Sequence, residues 1–309
     1  MKNYSEQDLR RLNWFGLKSL LASAILFPPV NAVVRWLARR LLSKQQALRI
    51  PISKPEAAYR LQDGTSVALL DPSVDEIARN IYWGGGNSVS PADQAVLDSV
   101  EILCRNARTF LDVGSYSGLF ALLAARSNSN VDAIAFEIVP ENYLLIVRNI
   151  IRNDLVGRVE ARLCGLAEAA GAITMPQALK LDRFASSMSI GSSFESGVRI
   201  PLTTLDEAVA DRAGPFVMKI DVEGFEAQVL RGGRGFFETH RPDVICEILP
   251  GSSDFDEVEK MLSGLGYSYF LFTDGEIRPS EHIRPTRDGR DWLFSADPGY
   301  LLSAMSGIR

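Results

Sequence analysis

Histidine is almost missing from this chain: two occur in 309 residues, His240 and His282, and they do not stand at a metal-ligand spacing. A zinc site built on imidazoles is therefore excluded as an organising feature. Cysteine is nearly as scarce. Cys104, Cys164 and Cys246 each lie inside apolar runs, no pair forms Cys-x-x-Cys, and an odd count makes no disulfide framework. They read as core residues of a protein kept in a reducing compartment. Excess charge of one sign is also lacking. With 33 basic and 38 acidic residues the formal net charge is -5, which gives no reason to expect nucleic acid as a partner. The uncharged run from Ser19 to Val34 is broken by Pro28-Pro29. It falls short of the roughly 20 unbroken apolar residues that a spanning helix needs. It is followed by basic residues without a clear small-residue cleavage site, so it does not read as a secretory signal either. What remains is a globular chain, long for one domain and short for two.

Three parts are legible. In residues 1–50, Lys2, Arg10, Arg11, Lys18, Arg35, Arg39, Arg40, Lys44 and Arg49 face only Glu6 and Asp8. The pattern suggests two helices hinged at Pro28-Pro29, with Val33, Trp36, Leu37 and Arg40 recurring at helical spacing in the second. Such an extension either caps the main domain or lies, through residues 10–45, on an anionic membrane face. The expected location is cytoplasmic, at the inner face of the membrane if the second reading holds. Residues 51–108 read as two short strands around Asp63-Gly64, a short helix from Val74 to Ile81, a loop at Gly84-Gly85-Gly86 and a helix begun by Ser90-Pro91. Residues 109–309 alternate wholly apolar strands with helices, the pattern of a parallel sheet covered on both faces.

The centre of that third part is Asp112-Val-Gly-Ser-Tyr-Ser-Gly118, between the strand Phe110 to Val113 and an apolar helix from Leu119. A strand, a glycine turn and a helix N-terminus form half of a nucleotide-binding unit. The next strand ends at Glu137, where such folds bind a ribose diol. The glycines of a dinucleotide fingerprint are missing, because Tyr116 and Leu119 stand at the second and third positions, and no Walker lysine loop occurs. Asp-x-Gly-x-x-x-Gly followed by a strand-end acid resembles the first two motifs of S-adenosylmethionine (SAM)-dependent methyltransferases.

Later motifs narrow the resemblance to the FkbM family of methyltransferases. Its typical Asp-Val-Gly-Ala-Asn-x-Gly is met by residues 112 to 118, and its Phe-Glu-Pro by Phe136-Glu137-Ile138 with Pro140. Gly165-Leu-Ala-Glu168-Ala-Ala-Gly171 echoes its Ala-Leu-Ser-Asp-x-x-Gly, and Thr204-Leu-Asp206 its Thr-Leu-Asp. Lys219-Ile-Asp-Val-Glu-Gly-Phe-Glu226 matches its Lys-Ile-Asp-Val-Glu-Gly-x-Glu throughout, and Arg241-Pro242 to Glu247 matches its Arg-Pro-x-x-x-x-Glu. Tyr116 for Asn and Ile138 for Pro are departures at the ligand turn. The resemblance implies a Rossmann-like α/β fold with a seven-stranded, mostly parallel sheet, SAM as cofactor, and O-methylation of a glycan, glycolipid or secondary-metabolite hydroxyl. N-methylation and a SAM- or nucleoside-binding module without turnover are the alternatives. Against nucleobase methylation, Asp221-Val-Glu-Gly224 stands where Asp/Asn-Pro-Pro-aromatic would be needed.

The residues carry roles in this picture. Asp112, Gly114, Ser115, Tyr116 and Gly118 would form the cofactor turn, with Glu137 on the ribose hydroxyls. The Leu166 and Glu168 loop comes to the adenine pocket by resemblance only. Asp221 and Glu223, two apart at the end of a buried strand, would point to one side if the chain stays extended. There they would either take a hydroxyl proton or, with Glu247, ligate a divalent cation that lowers the hydroxyl's pKa. Lys219 lies on the same side as Asp221 and would keep it ionised. The other reading of the three is a structural ion-pair network.

Overall fold

The computed structural model describes residues 27–176, 196–251, 255–273 and 275–305. The apolar run before Phe27, most of the Ser/Gly-rich region between Glu168 and Gly197, and Asp274 of the expected Asp274-Gly275 turn lie outside the described residues.

In chain order, helices α1 (Pro28–Leu41) and α2 (Lys44–Ala47) precede the hairpin of β1 (Glu56–Arg60) and β2 (Ser66–Leu70), then α3 (Glu76–Gly84) and α4 (Pro91–Leu103). The central unit follows as β3 (Thr109–Val113), α5 (Leu119–Ser127), β4 (Asp132–Glu137), α6 (Pro140–Arg152) and β5 (Val159–Leu163). A small side sheet holds β6 (Gly165–Leu166), β7 (Gly171–Met175) and β8 (Val198–Thr203). The chain re-enters through α7 (Leu205–Ala208), β9 (Phe216–Ile220), α8 (Glu226–Gly232), α9 (Arg234–His240), β10 (Asp243–Glu247) and α10 (Phe255–Gly264). It closes with β11 (Ser268–Phe272), β12 (Ile277–Ser280), β13 (Asp291–Ser295) and α11 (Pro298–Met305).

The large sheet runs β12-β11-β13-β10-β9-β3-β4-β5. From β10 to β5 every pairing is parallel, while β13 is antiparallel to both its neighbours. The expected mostly parallel sheet thus holds eight strands, not seven. The extra one, β12, pairs antiparallel at the edge of β11. Its Arg278, Pro279 and Ser280 offer no apolar run that a sequence reading could catch.

Alternation along each strand builds two cores. Phe110, Ala133, Val217 and Ile245 face one side with α4, α5 and the β1–β2 hairpin. Leu111, Ile134, Met218 and Cys246 face the other with α7 to α10. Residues 51–108 are part of the first core: Tyr59, Val67 and Leu69 pack with Leu122 and Ile146. The hairpin is tied down by α6, because the Asn149 and Asn153 amide oxygens accept from the backbone N–H groups of Leu70 and Ala68. α4 starts as its sequence says it should, with the Ser90 hydroxyl accepting from Asp93 N and Pro91 at the first helical position.

After β3 the chain moves outward through β4 to β5, then returns to place β9 on the other side of β3. The switch point between β3 and β9 is where an open α/β sheet leaves a crevice beyond its strand ends.

Candidate active site

A cavity of about 420 Å³ opens at this switch point. Gly114 follows β3, Asp221 follows β9, Glu137 ends β4 and Glu247 ends β10; all four line it. The two central strand ends are locked together. Asp221 N donates to the Val113 carbonyl at 2.8 Å, and a Cβ on Gly114 would stand 1.8 Å from the Asp221 carbonyl oxygen. Gly114 also has φ of +83°, so both space and backbone conformation require glycine here.

At the nucleoside end, Glu137 is buried and already occupied. One carboxylate oxygen accepts from Tyr116 N at 2.8 Å, and the other from Ile138 N at 2.9 Å and Val139 N at 2.8 Å. Burial pushes its pKa up to about 7 against the pull of those N–H groups. Its two oxygens therefore hold the β3 and β4 turns in register, and the Asn142 side chain adds a further hydrogen bond to the same carboxylate. Ile138, Phe136, Leu166 and Asn142 complete this end of the cavity.

Several expected cofactor contacts lie elsewhere. Asp112 is buried under α5, where Oδ2 accepts from Ala121 N at 3.0 Å, and burial pushes its pKa to about 7. Ser115 donates to the Asp112 carbonyl, and a Cβ on Gly118 would meet Ile146 of α6; neither residue lines the cavity. The Gly118 rule is thus helix packing. Glu168 is outside the cavity as well, an exposed carboxylate paired with Arg231 at 2.6 Å. It sits after the short β6, where the chain leaves the pocket wall that Leu166 forms. Tyr116, with φ of +51°, does line the cavity, and its hydroxyl accepts from Glu76 N at 3.3 Å. The phenol joins the cofactor turn to the first turn of α3. An amide at this position, as the family usually has, would be too short for that bridge.

The other end is a nest of charge. Lys219, 2% exposed, points its ammonium at Asp221 Oδ2 (3.2 Å), with Asp291 Oδ1 at 4.0 Å and the Phe120 ring face at 5.6 Å. Burial opposes the lysine's charge, yet Asp221, Asp291 and Glu247 outweigh it and raise its pKa above the ordinary value. Burial likewise works against an ionised Asp221, but Lys219 and a hydrogen bond from Glu247 hold it below the usual carboxylate range. Glu247 moves the opposite way, to about 8, through burial and the Asp221 charge, with the Lys219 charge working against that rise; Arg290 Nε lies 2.8 Å from its Oε1. The two carboxyls titrate as a pair, Asp221 being the one pulled down and Glu247 the one pushed up. Glu223, half-buried, is raised by desolvation and then by Asp221.

The chain does not stay extended through Asp221-Val-Glu, because Glu223 has φ of +54° and Gly224 φ of +96°. The turn, not strand alternation, brings Asp221, Glu223 and Glu247 together, each with a carboxylate oxygen within 4.8 Å of the others. That set has the donors for a divalent ion, yet two cationic side chains already neutralise it. Arg290 and Asp291, contributed by the start of β13, escaped the sequence reading because they lie far along the chain from Lys219 and carry no motif. Cys164, expected as core, is half-buried and lines the cavity, whereas Cys104 and Cys246 are buried. His240 ends α9 and meets the Phe216 ring edge-on and the Phe236 ring at a tilt, and His282 Nδ1 lies 2.8 Å from Glu259.

A family model of the methyltransferase FkbM domain matches residues 112–269, half of the chain. The chain belongs to the FkbM methyltransferase family. The match spans the turn after β3, the Lys219 to Glu226 motif and β10. Methyltransferase sdnD of Sordaria araneosa is 35% identical over 65 residues, 21% of this chain and 25% of that protein. Among solved structures, methyltransferase FkbM from Methylobacillus flagellatus KT shares 18% identity over 60% of this chain and 43% of its own, with a TM-score of 0.43. An O-methyltransferase from Bacillus cereus in complex with SAH shares 12% identity over 66% and 78%, with a TM-score of 0.33. The FkbM-family chain thus spans about a quarter of its curated relative and under half of the solved FkbM protein.

Proposed function

We propose that this FkbM-family chain is a SAM-dependent methyltransferase that methylates a hydroxyl of a glycan, glycolipid or secondary metabolite. The observation that carries the reading is one continuous cavity with the Gly114–Tyr116 turn and Glu137 at one end and the Asp221 cluster at the other. The residues fit the cofactor: a carboxylate at the end of β4 lining the cavity for a ribose hydroxyl, apolar walls at Ile138 and Leu166 for a purine, and a turn whose Gly114 backbone is bare. Bound there, SAM supplies an electrophilic methyl on a sulfonium.

The chain's own part is to orient the acceptor and remove one proton. Asp221, kept ionised by Lys219, is the fixed acceptor of the hydroxyl's hydrogen bond. Glu223, its carboxyl raised above the ordinary value by burial and the Asp221 charge, is the base for that proton. Glu247 keeps the pair's second proton, so the cluster does not accumulate three negative charges. Asn80, Ser88 and Asp93, on the opposite wall from α3, the following loop and α4, offer hydrogen bonds to a polyol.

Titration calorimetry with SAM, SAH and NAD tests the cofactor class, and binding of NAD but not SAM overturns it. Glu223→Gln and Asp221→Asn are expected to keep SAM affinity while losing methyl transfer from labelled SAM. Full activity in both variants would show that the proton goes elsewhere.

A further inference from the structure

Helix α1 is mounted inside out. Its buried residues are Asn31, Arg35 and Ala38. Asn31 Nδ2 donates to the Pro51 carbonyl at 2.8 Å, and its Oδ1 accepts from Ser53 N and Ser53 Oγ at 3.0 and 2.9 Å. Arg35 Nη1 donates to the Tyr82 hydroxyl at 2.7 Å. The helix thus docks through its polar and small side. At 100° per residue, Val30, Val33, Trp36, Leu37 and Leu41 fall on the opposite arc. All five are exposed, Leu41 to 75%, Val33 to 58% and Trp36 to 52%. Phe27, at the N-cap, is 59% exposed on the same end. A surface helix ordinarily turns such an arc inward, and contiguous exposed apolar faces mark interaction sites.

We infer that this face of α1 seats the protein on an anionic lipid surface. Charge selects that occupant over another protein or a second copy. From Leu9 to Pro55 the sequence has no Asp or Glu, while Arg39, Arg40, Lys44, Arg49 and Lys54 follow one another along and after the helix. The rest of the chain is acidic enough to leave the whole at -5, so the basic charge is concentrated where the apolar arc is. Arg40 lies over the Trp36 ring at 3.8 Å, so a cation is stacked on the most amphipathic side chain of the arc. An apolar arc that carries Arg40 at its C-terminal end and is followed in the chain by Lys44, Arg49 and Lys54 suits a headgroup boundary. The 14-residue helix is too short to span, and no described helix is long and apolar enough to cross a membrane. The contact is therefore along the surface.

The mounting also fixes which way the site looks. Tyr82 and Trp83, against which α1 and α2 pack, belong to α3. Ile77, Asn80 and Ile81 of the same helix line the cavity. One nine-residue helix thus separates the lipid-seated face from the acceptor wall. The inference does not depend on turnover, and its test reads binding alone.

The test is flotation of the full chain with phosphatidylglycerol/phosphatidylcholine vesicles and with pure phosphatidylcholine vesicles. Binding is expected to the anionic vesicles and to fall with rising salt. Arg39→Ser with Arg40→Ser and Lys44→Ser should lower the partition about a hundred-fold, at roughly 1 kcal/mol per charge. Val33→Ser with Trp36→Ser and Leu37→Ser should lower it at least about ten-fold while the melting temperature stays unchanged, since these side chains are already in water. Two results overturn the inference. One is equal binding of both vesicle types, or none. The other is an apolar variant that melts lower or changes its sedimentation in plain buffer, for then the arc is covered by the chain's own residues 1–26 or by a second copy.

Discussion

Lys219→Met is the perturbation on which the charge nest turns. Methionine fills most of the buried channel beside the Phe120 ring, so the change removes the ammonium with little change in packing. Deleting one partner of a buried ion pair costs ~3–5 kcal/mol, mostly as the penalty of the charge left behind. Asp221 has a side chain 35% exposed, so water recovers part of that penalty. The discounted loss is about 2 kcal/mol, or about 3 °C in melting temperature for a chain of this size. Catalysis should suffer in a distinctive way. With Lys219 gone, burial acts on Asp221 against only the Glu247 hydrogen bond and the Arg290 charge, its pKa rises, and the acidic limb of the pH–rate profile moves to higher pH. SAM affinity should hold, because Glu137 and the Gly114 turn are untouched. The assays are thermal melting, calorimetry with SAM, and initial rates from pH 5 to 9. An unmoved acidic limb with an unmoved melting temperature would refute the assignment of Lys219 as the group that keeps Asp221 ionised. An equal loss of SAM affinity and turnover would place Lys219 in the cofactor site instead.

Glu137→Gln puts an amide nitrogen against at least one of three backbone N–H groups; SAM affinity should fall at least about ten-fold and the melting temperature should drop with it. Asp75 is fully buried, caps α3 by accepting from Ile77 N and Ala78 N, and has its pKa pushed up to about 7 by burial. Because the folded value lies above the unfolded one, its contribution is full below the ordinary carboxylate pKa and is lost as pH rises toward about 7. Asp75→Asn keeps an acceptor for the cap without a charge, so the variant should gain on the parent in melting temperature between pH 5 and pH 8. A chelator should leave methyl transfer unchanged, since Lys219 and Arg290 already neutralise the carboxylates; loss of activity restored by one divalent ion would reverse that reading. Gly114→Ala should yield little folded protein, and none with tight SAM binding, as seen by circular dichroism and calorimetry.

How much of this was legible follows from where the information lies. β3 and β9 are buried at every position, so their apolar runs announce parallel strands, and the glycine turn between strand and helix stands in one short stretch. The Lys219 to Glu226 segment is local as well. What could not be read is whatever two distant segments make together. Arg290 and Asp291 matter only because β13 pairs with β10 and sets them beside Glu247. Asp221 and Glu223 were expected to share a side through extended backbone, whereas a left-handed residue achieves their proximity, and nothing in Val222-Glu223 signals φ above zero. Glu168 matched a motif position but pairs with Arg231, which residue type alone could not reveal. The periodicity of α1 gave the helix and not which side would face the core, since a buried Asn31 with three hydrogen bonds outweighs what apolar spacing suggests.

The two ends of the cavity are not independent parts brought near each other. The Val113 carbonyl accepts from Asp221 N, and the bare Cα of Gly114 lies against the Asp221 carbonyl, so one backbone contact sets both the cofactor turn and the base of the acid cluster. Glu137 extends the same lock sideways by accepting from Tyr116, and Tyr116 carries it to α3 through Glu76 N. A chain of three contacts therefore links β9, β3, β4 and the acceptor wall. Methyl transfer needs donor and acceptor aligned closely, and a reacting distance is best held when both sites hang on one rigid backbone contact. On that view the glycine after β3 is required by the carbonyl of Asp221 as much as by any ligand, and Tyr116 is the piece that ties this chain's α3, and whatever α1 rests on, to the reacting centre.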